Sequence, residues 1–219
     1  MANVMPSLFR YELALLDRGL TRIAGVDEAG RGPLAGPVFA AAVVFPAEWI
    51  RHGLPKELRQ VNDSKALKAA TREALFAELI ARPEIQFGIA QVDAPLIDQI
   101  NILQATHLAM NMALAKLQPP PEHVLVDGLP VPSLKLPQTA LVKGDALSYS
   151  IAAASILAKV SRDRRMIELD RAYPGYGFAA HKGYGTAAHL AALDALGACA
   201  LHRQSFAPCQ TPAQGELFS

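Results

Sequence analysis

Three strand-length apolar segments of this chain each run into acid: Arg22-Ile-Ala-Gly-Val-Asp27-Glu28, His123-Val-Leu-Val-Asp127, and Thr139–Val142 leading into Lys143-Gly-Asp145. Charged groups are rarely buried without a partner. A sheet that aligns these segments must therefore gather carboxylates that repel one another unless they are protonated or bound to a cation.

The rest of the chain supplies such a sheet. A helical segment over 7–18 precedes the first strand. The turn-rich Gly30-Arg-Gly-Pro-Leu-Ala-Gly-Pro37 joins that strand to a second one, Val38–Phe45, as a hairpin. Helical composition over Ala69–Ala81 ends before Pro83, and Glu84–Val92 alternates like a strand. Ile97–Leu117 is predicted to be the longest helix, with Ile100, Leu103, Leu108, Met112 and Ala115 on its apolar stripe and Gln118-Pro-Pro-Pro121 as its stop. An Ala-rich helix over Ile151–Leu169, a Gly-rich aromatic loop over Tyr173–Gly185 and a last helix from Thr186 complete the pattern. Strands followed by alternating helices and strands predict an α/β domain, a mixed sheet with helices on both faces.

At 219 residues the chain has room for one catalytic domain, and 51% apolar residues suffice for its core, which excludes intrinsic disorder. We expect a helical segment over 1–19, a catalytic domain over 20–206 and a flexible tail over 207–219. Apolar runs such as Val38–Phe45 fall well short of the ~18 residues of a membrane helix, and no basic-then-apolar leader opens the chain. The expectation is a cytoplasmic protein without membrane contact, monomeric by default.

The net charge of +1 does not mark a nucleic-acid binder, but between Lys143 and His189 seven basic residues face four acidic ones, a local +3. Cys199 and Cys209 lack zinc-ligand spacing and read as a reduced, non-catalytic pair. His181 and His189, eight residues apart, are assigned to a loop and a surface. Gly30, Gly32 and Gly36 miss the dinucleotide-binding spacing, and neither a P-loop nor a G-x-S-x-G elbow occurs. Carboxylates without Cys or convergent His suit Mg²⁺ or Mn²⁺. Two such ions are a usual device for in-line displacement at phosphate.

Gly25-Val-Asp-Glu-Ala-Gly-Arg-Gly-Pro-Leu-Ala-Gly-Pro-Val38 resembles the opening signature of bacterial ribonuclease HII. Asn62-Asp-Ser-Lys65, Ile100-Asn-Ile-Leu103, Val126-Asp-Gly128, Lys143-Gly-Asp145, Ser150–Lys159, Arg162-Asp163, His181-Lys-Gly-Tyr-Gly185 and His202-Arg-Gln-Ser-Phe206 are similar to that family's later blocks, in its order. The resemblance covers about residues 20 to 206. It implies a ribonuclease H-like fold with a five-stranded mixed sheet and a C-terminal helical extension. It also implies that Asp27, Glu28, Asp127 and Asp145 are catalytic and bind two Mn²⁺ or Mg²⁺ ions.

The activity implied is cleavage 5′ to a ribonucleotide, in RNA–DNA hybrids or at single ribonucleotides in duplex DNA, leaving 3′-hydroxyl and 5′-phosphate ends. By the same resemblance Gly30, Arg31 and Gly32 approach the 2′-hydroxyl and Tyr184 packs on the adjoining sugar. Ser64, Lys65, Lys143 and Lys182 would meet phosphates. Asp163 reads instead as an ion-pair or helix-positioning residue. Lys68 stands where many relatives carry a Ser or Thr helix cap. Gln214-Gly-Glu-Leu217-Phe218 is similar to peptides that dock on the replication sliding clamp. A junction nuclease, a catalytically dead hybrid-binding module and a small-molecule α/β enzyme are the rival readings.

Overall fold

The computed structural model describes residues 8–62, 64 and 66–209. Among them, helix α1 (Arg10–Leu16) leads into strands β1 (Ile23–Ala29) and β2 (Val38–Val44). Helices α2 (Ala47–His52) and α3 (Ala69–Ala81), strand β3 (Gln86–Val92), helix α4 (Ala94–Leu114) and strands β4 (His123–Asp127) and β5 (Gln138–Leu141) follow. Helices α5 (Tyr149–Ala172), α6 (Phe178–His181) and α7 (Ala187–Leu196) close the described chain. No helix among the described residues is long and apolar enough to cross a membrane.

The five strands form one mixed sheet of order β3-β2-β1-β4-β5. β1, β2 and β3 pair antiparallel, as the predicted hairpin requires, while β4 and β5 run parallel to β1. β2 is buried along its whole length because both faces of the sheet are covered. On one face Ile23, Ala41, Val43 and Leu125 pack with α1, α3 and α5. On the other, Ala24, Val26, Ala40, Ala42, Val124 and Val126 pack with α4.

Gly25 sets how closely α5 can lie on the sheet: a Cβ there would stand 2.2 Å from the Ser150 carbonyl carbon. This close contact brings α5, and with it Ser155 and Arg162, alongside the acidic end of β1.

Two expectations about helices are corrected. α5, with 24 residues, is longer than α4, with 21. The apolar stripe assigned to α4 is also wrong. Leu103 and Met112 are exposed, whereas Ile97, Ala105, Ala109, Met110 and Ala113 are buried. The cause is a break at Asn101, where φ is 65° and ψ 163°. Its Oδ1 accepts the N–H groups of Leu103 and Gln104 at 3.0 and 3.1 Å, so Asn101 caps a second helical segment whose phase differs from the first.

α1 belongs to the packed domain. Its Glu12 is fully buried, and Glu12 Oε1 accepts from the Ser148 hydroxyl at 2.6 Å and the Ser150 N–H at 3.1 Å, at the N-terminus of α5. At the other end, Ala207–Cys209 form a 3₁₀ turn with Cys209 buried, so packing continues past position 206. The rest of the expected tail lies outside the described residues.

Lys68 is the N-cap of α3 and makes no side-chain cap hydrogen bond. Lys68→Ser is expected to stabilise the protein by about 0.5–1 kcal/mol by supplying one. An unchanged urea midpoint would show that this end of α3 gains nothing from a cap.

Candidate metal centre and nucleic-acid groove

Parallel pairing of Val26 with Val126 makes the next residues, Asp27 and Asp127, neighbours at the ends of the two central strands. Asp27 is 3% exposed and accepts the Glu28 N–H at 2.6 Å. Asp127 Oδ1 accepts the Gly144 N–H at 2.7 Å. That bond ties the end of β4 to the 3₁₀ turn Gly144–Ala146, which holds the buried Asp145. The fold thus brings Asp27, Glu28 and Asp127 together at the ends of the inner strands β1 and β4, with Asp145 buried on the adjoining turn.

The electrostatics follow from this placement. Burial first, then the charges of Glu28 and Asp127, push the Asp27 carboxyl well above the ordinary carboxylate range, although hydrogen bonds from the Glu28 backbone and Ser155 oppose the shift. Carboxylates crowded in this way fit a hard divalent cation, which would relieve both the desolvation and the repulsion. Among the described residues no group of three or more His, Cys, Asp or Glu side chains is placed to hold a metal ion. The fit lies in the oxygen donor chemistry and in the repulsion between Asp27, Glu28 and Asp127.

Beside the acids runs a groove of about 390 Å³, lined by Glu28, Gly30, Arg31, Arg72, Lys159, Arg162 and Tyr184 among others. Four cations against one acid suit a phosphate backbone. Arg31 meets Glu28 at 3.3 Å, and Lys159 meets Asp163 at 2.7 Å, so Asp163 is the ion-pair residue that its helical position suggested.

The loop at residues 30–37 is held from beneath by two arginines to which the sequence reading gave no role. Arg203, fully buried, donates to the carbonyls of Gly30 at 2.6 Å, Arg31 at 2.7 Å and Gly36 at 2.9 Å. Arg162, also buried, donates to Pro37 and Ala35 at 3.0 and 3.2 Å, while its Nη1 has no partner among the described residues. Neither forms an ion pair with a described carboxylate, and burial next to Arg162 drives Arg203 down to about 9. In a planar trans peptide the N–H points opposite to the C=O. Arg203 therefore turns the amides of Arg31 and Gly32 away from itself. Nothing in the sequence sets these two arginines apart: Arg162 sits among Lys159, Asp163, Arg164 and Arg165 on the charged later turns of α5, and Arg203 lies beyond α7.

Gly30 is needed for two reasons: its φ is 97°, and a Cβ there would stand 2.0 Å from Arg162 Nε. A Cβ on Gly32 would lie 3.9 Å from the Tyr184 ring, so the loop and the tyrosine are neighbours as expected. Tyr184 is 44% exposed, with the Arg162 guanidinium 5.8 Å from its ring centre.

The predicted phosphate contacts divide. Ser64 lines the groove but is buried, with its Oγ 2.7 Å from that of Ser155. Lys143 is exposed beside the Asp145 turn. Lys182 folds back to donate to the Ala179 carbonyl. Lys65 lies outside the described residues. The surface role assigned to His189 is corrected: it is fully buried, because α7 folds back onto α6 and stacks His189 on His181 with 4.4 Å between ring centres. Cys199 and Cys209 are both free thiols.

A mixed sheet of this order, with carboxylates gathered where its two central parallel strands end, defines a ribonuclease H-like nuclease that depends on divalent metal. Residues 24–209 match the sequence profile described as Ribonuclease HII. The chain is 53% identical over 201 residues to ribonuclease HII of Geotalea uraniireducens, covering 92% of this chain and 89% of that one. Against ribonuclease HII of Geobacillus thermodenitrificans the identity is 56% over 201 residues, covering 92% and 74%. The chain belongs to the ribonuclease HII family, which are metal-dependent endonucleases.

The crystal structure of ribonuclease H2 from Pyrococcus horikoshii superposes with a TM-score of 0.70 at 28% identity, covering 86% of this chain and 95% of that one. Two more distant structures share the fold. One is the PCNA:RNase HII complex from Archaeoglobus fulgidus, with TM-score 0.68 and 24% identity over 90% and 98% of the two chains. The other is Bst-RNase HIII in complex with Mn²⁺, with TM-score 0.65 and 19% identity over 95% and 73%.

Proposed function

We propose that the protein hydrolyses the phosphodiester 5′ to a ribonucleotide, in RNA–DNA hybrids and at single ribonucleotides within duplex DNA. The observation that carries this reading is Asp27, buried between Glu28 and Asp127 at the edge of a cationic groove. Asp27, Glu28, Asp127 and Asp145 would hold two divalent ions, Mn²⁺ or Mg²⁺. When bound, such ions activate water for in-line attack and stabilise the departing oxygen.

The chain's own groups orient the substrate. Arg31, Arg72 and Lys159 attract the phosphate backbone without regard to sequence, and the family resemblance adds Ser64, Lys65, Lys143 and Lys182 as further phosphate contacts. The amides of Arg31 and Gly32, turned outward by Arg203, donate to the 2′-hydroxyl, and Gly30 and Gly32 leave room for that approach. Tyr184 packs on the neighbouring sugar. A deoxyribose offers those amides nothing, which is how the site tells RNA from DNA.

The test is cleavage of a labelled DNA duplex carrying one ribonucleotide, beside an all-DNA duplex and a long hybrid, with Mg²⁺, Mn²⁺ or chelator. One cut on the 5′ side of the ribonucleotide, lost in chelator and in the all-DNA duplex, is expected. Cutting of the long hybrid alone would refute the role given to the loop at 30–32 and Tyr184.

The terminal Gln214, Leu217 and Phe218 lie outside the described residues. The Archaeoglobus fulgidus relative is described in complex with PCNA, which supports sliding-clamp docking by this tail. Removing the last six residues should abolish capture on immobilised bacterial clamp. Full-length protein that never binds the clamp would end this reading.

A further inference from the structure

Behind Tyr184 lie three imidazoles that the proposed chemistry does not use. His189 and His202 are 0% and 2% exposed, with their Nε2 atoms 3.1 Å apart. His181 stacks on His189 at 15° between planes, and Phe178 packs edge-on against both.

Backbone N–H groups fix where the ring protons sit, since such a group can only donate. The Cys199 N–H donates to His202 Nδ1 at 3.0 Å, so a neutral His202 carries its proton on Nε2. That proton points at His189 Nε2, which must accept it. His189 therefore carries its own proton on Nδ1, from which it donates to the Tyr184 carbonyl at 2.9 Å. His181 closes in the same manner: its Nδ1 accepts the Gly183 N–H at 3.2 Å and its Nε2 donates to the Tyr176 carbonyl at 2.8 Å. One tautomer set satisfies all of these contacts. An added proton on His189 or His202 would set two N–H groups head to head. Burial acts in the same direction, lowering His189 and taking His202 down to about 4.

The chain of bonds ends on the backbone of a residue whose ring needs support. The Tyr184 ring is partly exposed, with the Arg162 guanidinium 5.8 Å from its centre and Gly32 beside it, so how its main chain is held bears on its aim. Leu34 N donates to the Gly183 carbonyl at 2.8 Å, fastening the preceding peptide to the substrate loop. The following one is held by two donors to the Tyr184 carbonyl, the Thr186 N–H at 2.8 Å and His189 Nδ1 at 2.9 Å.

We propose that the relay from Cys199 through His202 and His189 to the Tyr184 carbonyl aims the Tyr184 ring over the loop at 30–32, which makes His189 and His202 positioning residues for ribonucleotide recognition. The inference rests on the reading of Tyr184 given above.

The experiment compares the parent, His189→Leu, His189→Asn, Tyr184→Ala and the Tyr184→Ala/His189→Leu double variant. Each is assayed on a duplex with one ribonucleotide and on a long hybrid. Leucine keeps bulk without a donor, whereas the asparagine amide can take the place of Nδ1–H. The His189→Leu variant should lose single-ribonucleotide kcat/KM at least tenfold more than hybrid kcat/KM, with asparagine recovering most of it. In the Tyr184→Ala background the leucine change should add no further selectivity loss.

Equal loss on both substrates, without rescue, would reduce His189 to a packing residue and overturn the proposal. A Tyr184→Ala variant of unchanged selectivity would instead remove the Tyr184 reading, and the inference with it. Nitrogen-15 spectra of the unmodified protein give a second readout that needs no variant to fold. They should show His202 protonated on Nε2 and His189 on Nδ1, and the opposite tautomers would overturn the relay.

Discussion

Asp27→Asn is expected to lower cleavage by 10³-fold or more, about 4 kcal/mol of transition-state stabilisation, while making the metal-free protein more stable. The two effects share a cause. The Asp27 carboxyl is raised by burial and by Glu28 and Asp127, so the folded state prefers it protonated. Stability tied to that preference is present at low pH and is lost as pH rises through the raised folded value. An asparagine avoids the loss. Its Oδ1 can still accept the Glu28 N–H that Asp27 accepts at 2.6 Å.

Denaturation of parent and variant in chelator should therefore show nearly equal stability around pH 4 and a gap on the order of 1 kcal/mol at pH 8, the variant being the more stable. Added Mn²⁺ should reverse the order by stabilising the parent alone. Undiminished turnover would remove Asp27 from the metal site. A variant that is less stable at every pH would show that its charge is compensated within the protein.

How much of this was legible in the sequence depends on the range of the interaction. The acids stood out as candidates because a buried strand ending in a carboxylate contradicts itself locally, and three such contradictions in one chain imply a meeting point. α3 was predicted over its observed span because Pro83 and its own composition bound it. α4 was misjudged because the reading weighted large apolar residues, whereas the helix buries alanines: a Cβ on Gly88 would stand 2.1 Å from the Ala113 carbonyl oxygen. The break at Asn101 did have a local sign, an asparagine able to cap, but inside an apolar run it passed as one polar residue.

The remaining features are tertiary. His181, His189 and His202 are dispersed along the sequence and meet only when α7 folds back, so no spacing rule finds them. Arg162 and Arg203 look like solvated cations until the loop carbonyls that they hold are in place. Ser64 was given a phosphate contact by the family resemblance, and its burial was not legible locally. Its pairing with Ser155 follows from how closely α5 lies on the sheet over Gly25.

Arg203 carries the second large prediction, because its guanidinium is the donor to the loop carbonyls of Gly30, Arg31 and Gly36. Arg203→Met keeps most of the side-chain volume but strips the donors from the carbonyls of Gly30, Arg31 and Gly36. Buried acceptors left unpaired cost roughly 1–3 kcal/mol each. Part of the loop will relax toward water, and removing a guanidinium that burial already disfavours returns something. The net loss should be about 3–5 kcal/mol, or roughly 6–20 °C in Tm for a domain of this size.

Arg203→Lys keeps the charge but offers a point donor in place of a planar fork, so it should restore only part of the stability. Selectivity separates a loop clamp from a generic core residue. Once the peptides at 30–32 can rotate, the Arg31 and Gly32 amides lose their fixed outward aim, and cleavage at a single ribonucleotide should fall further than the population of folded protein accounts for. Kinetics below the melting transition, normalised to folded protein, measure that excess. If activity tracks the folded fraction alone, Arg203 supports the fold and the loop's aim is set elsewhere.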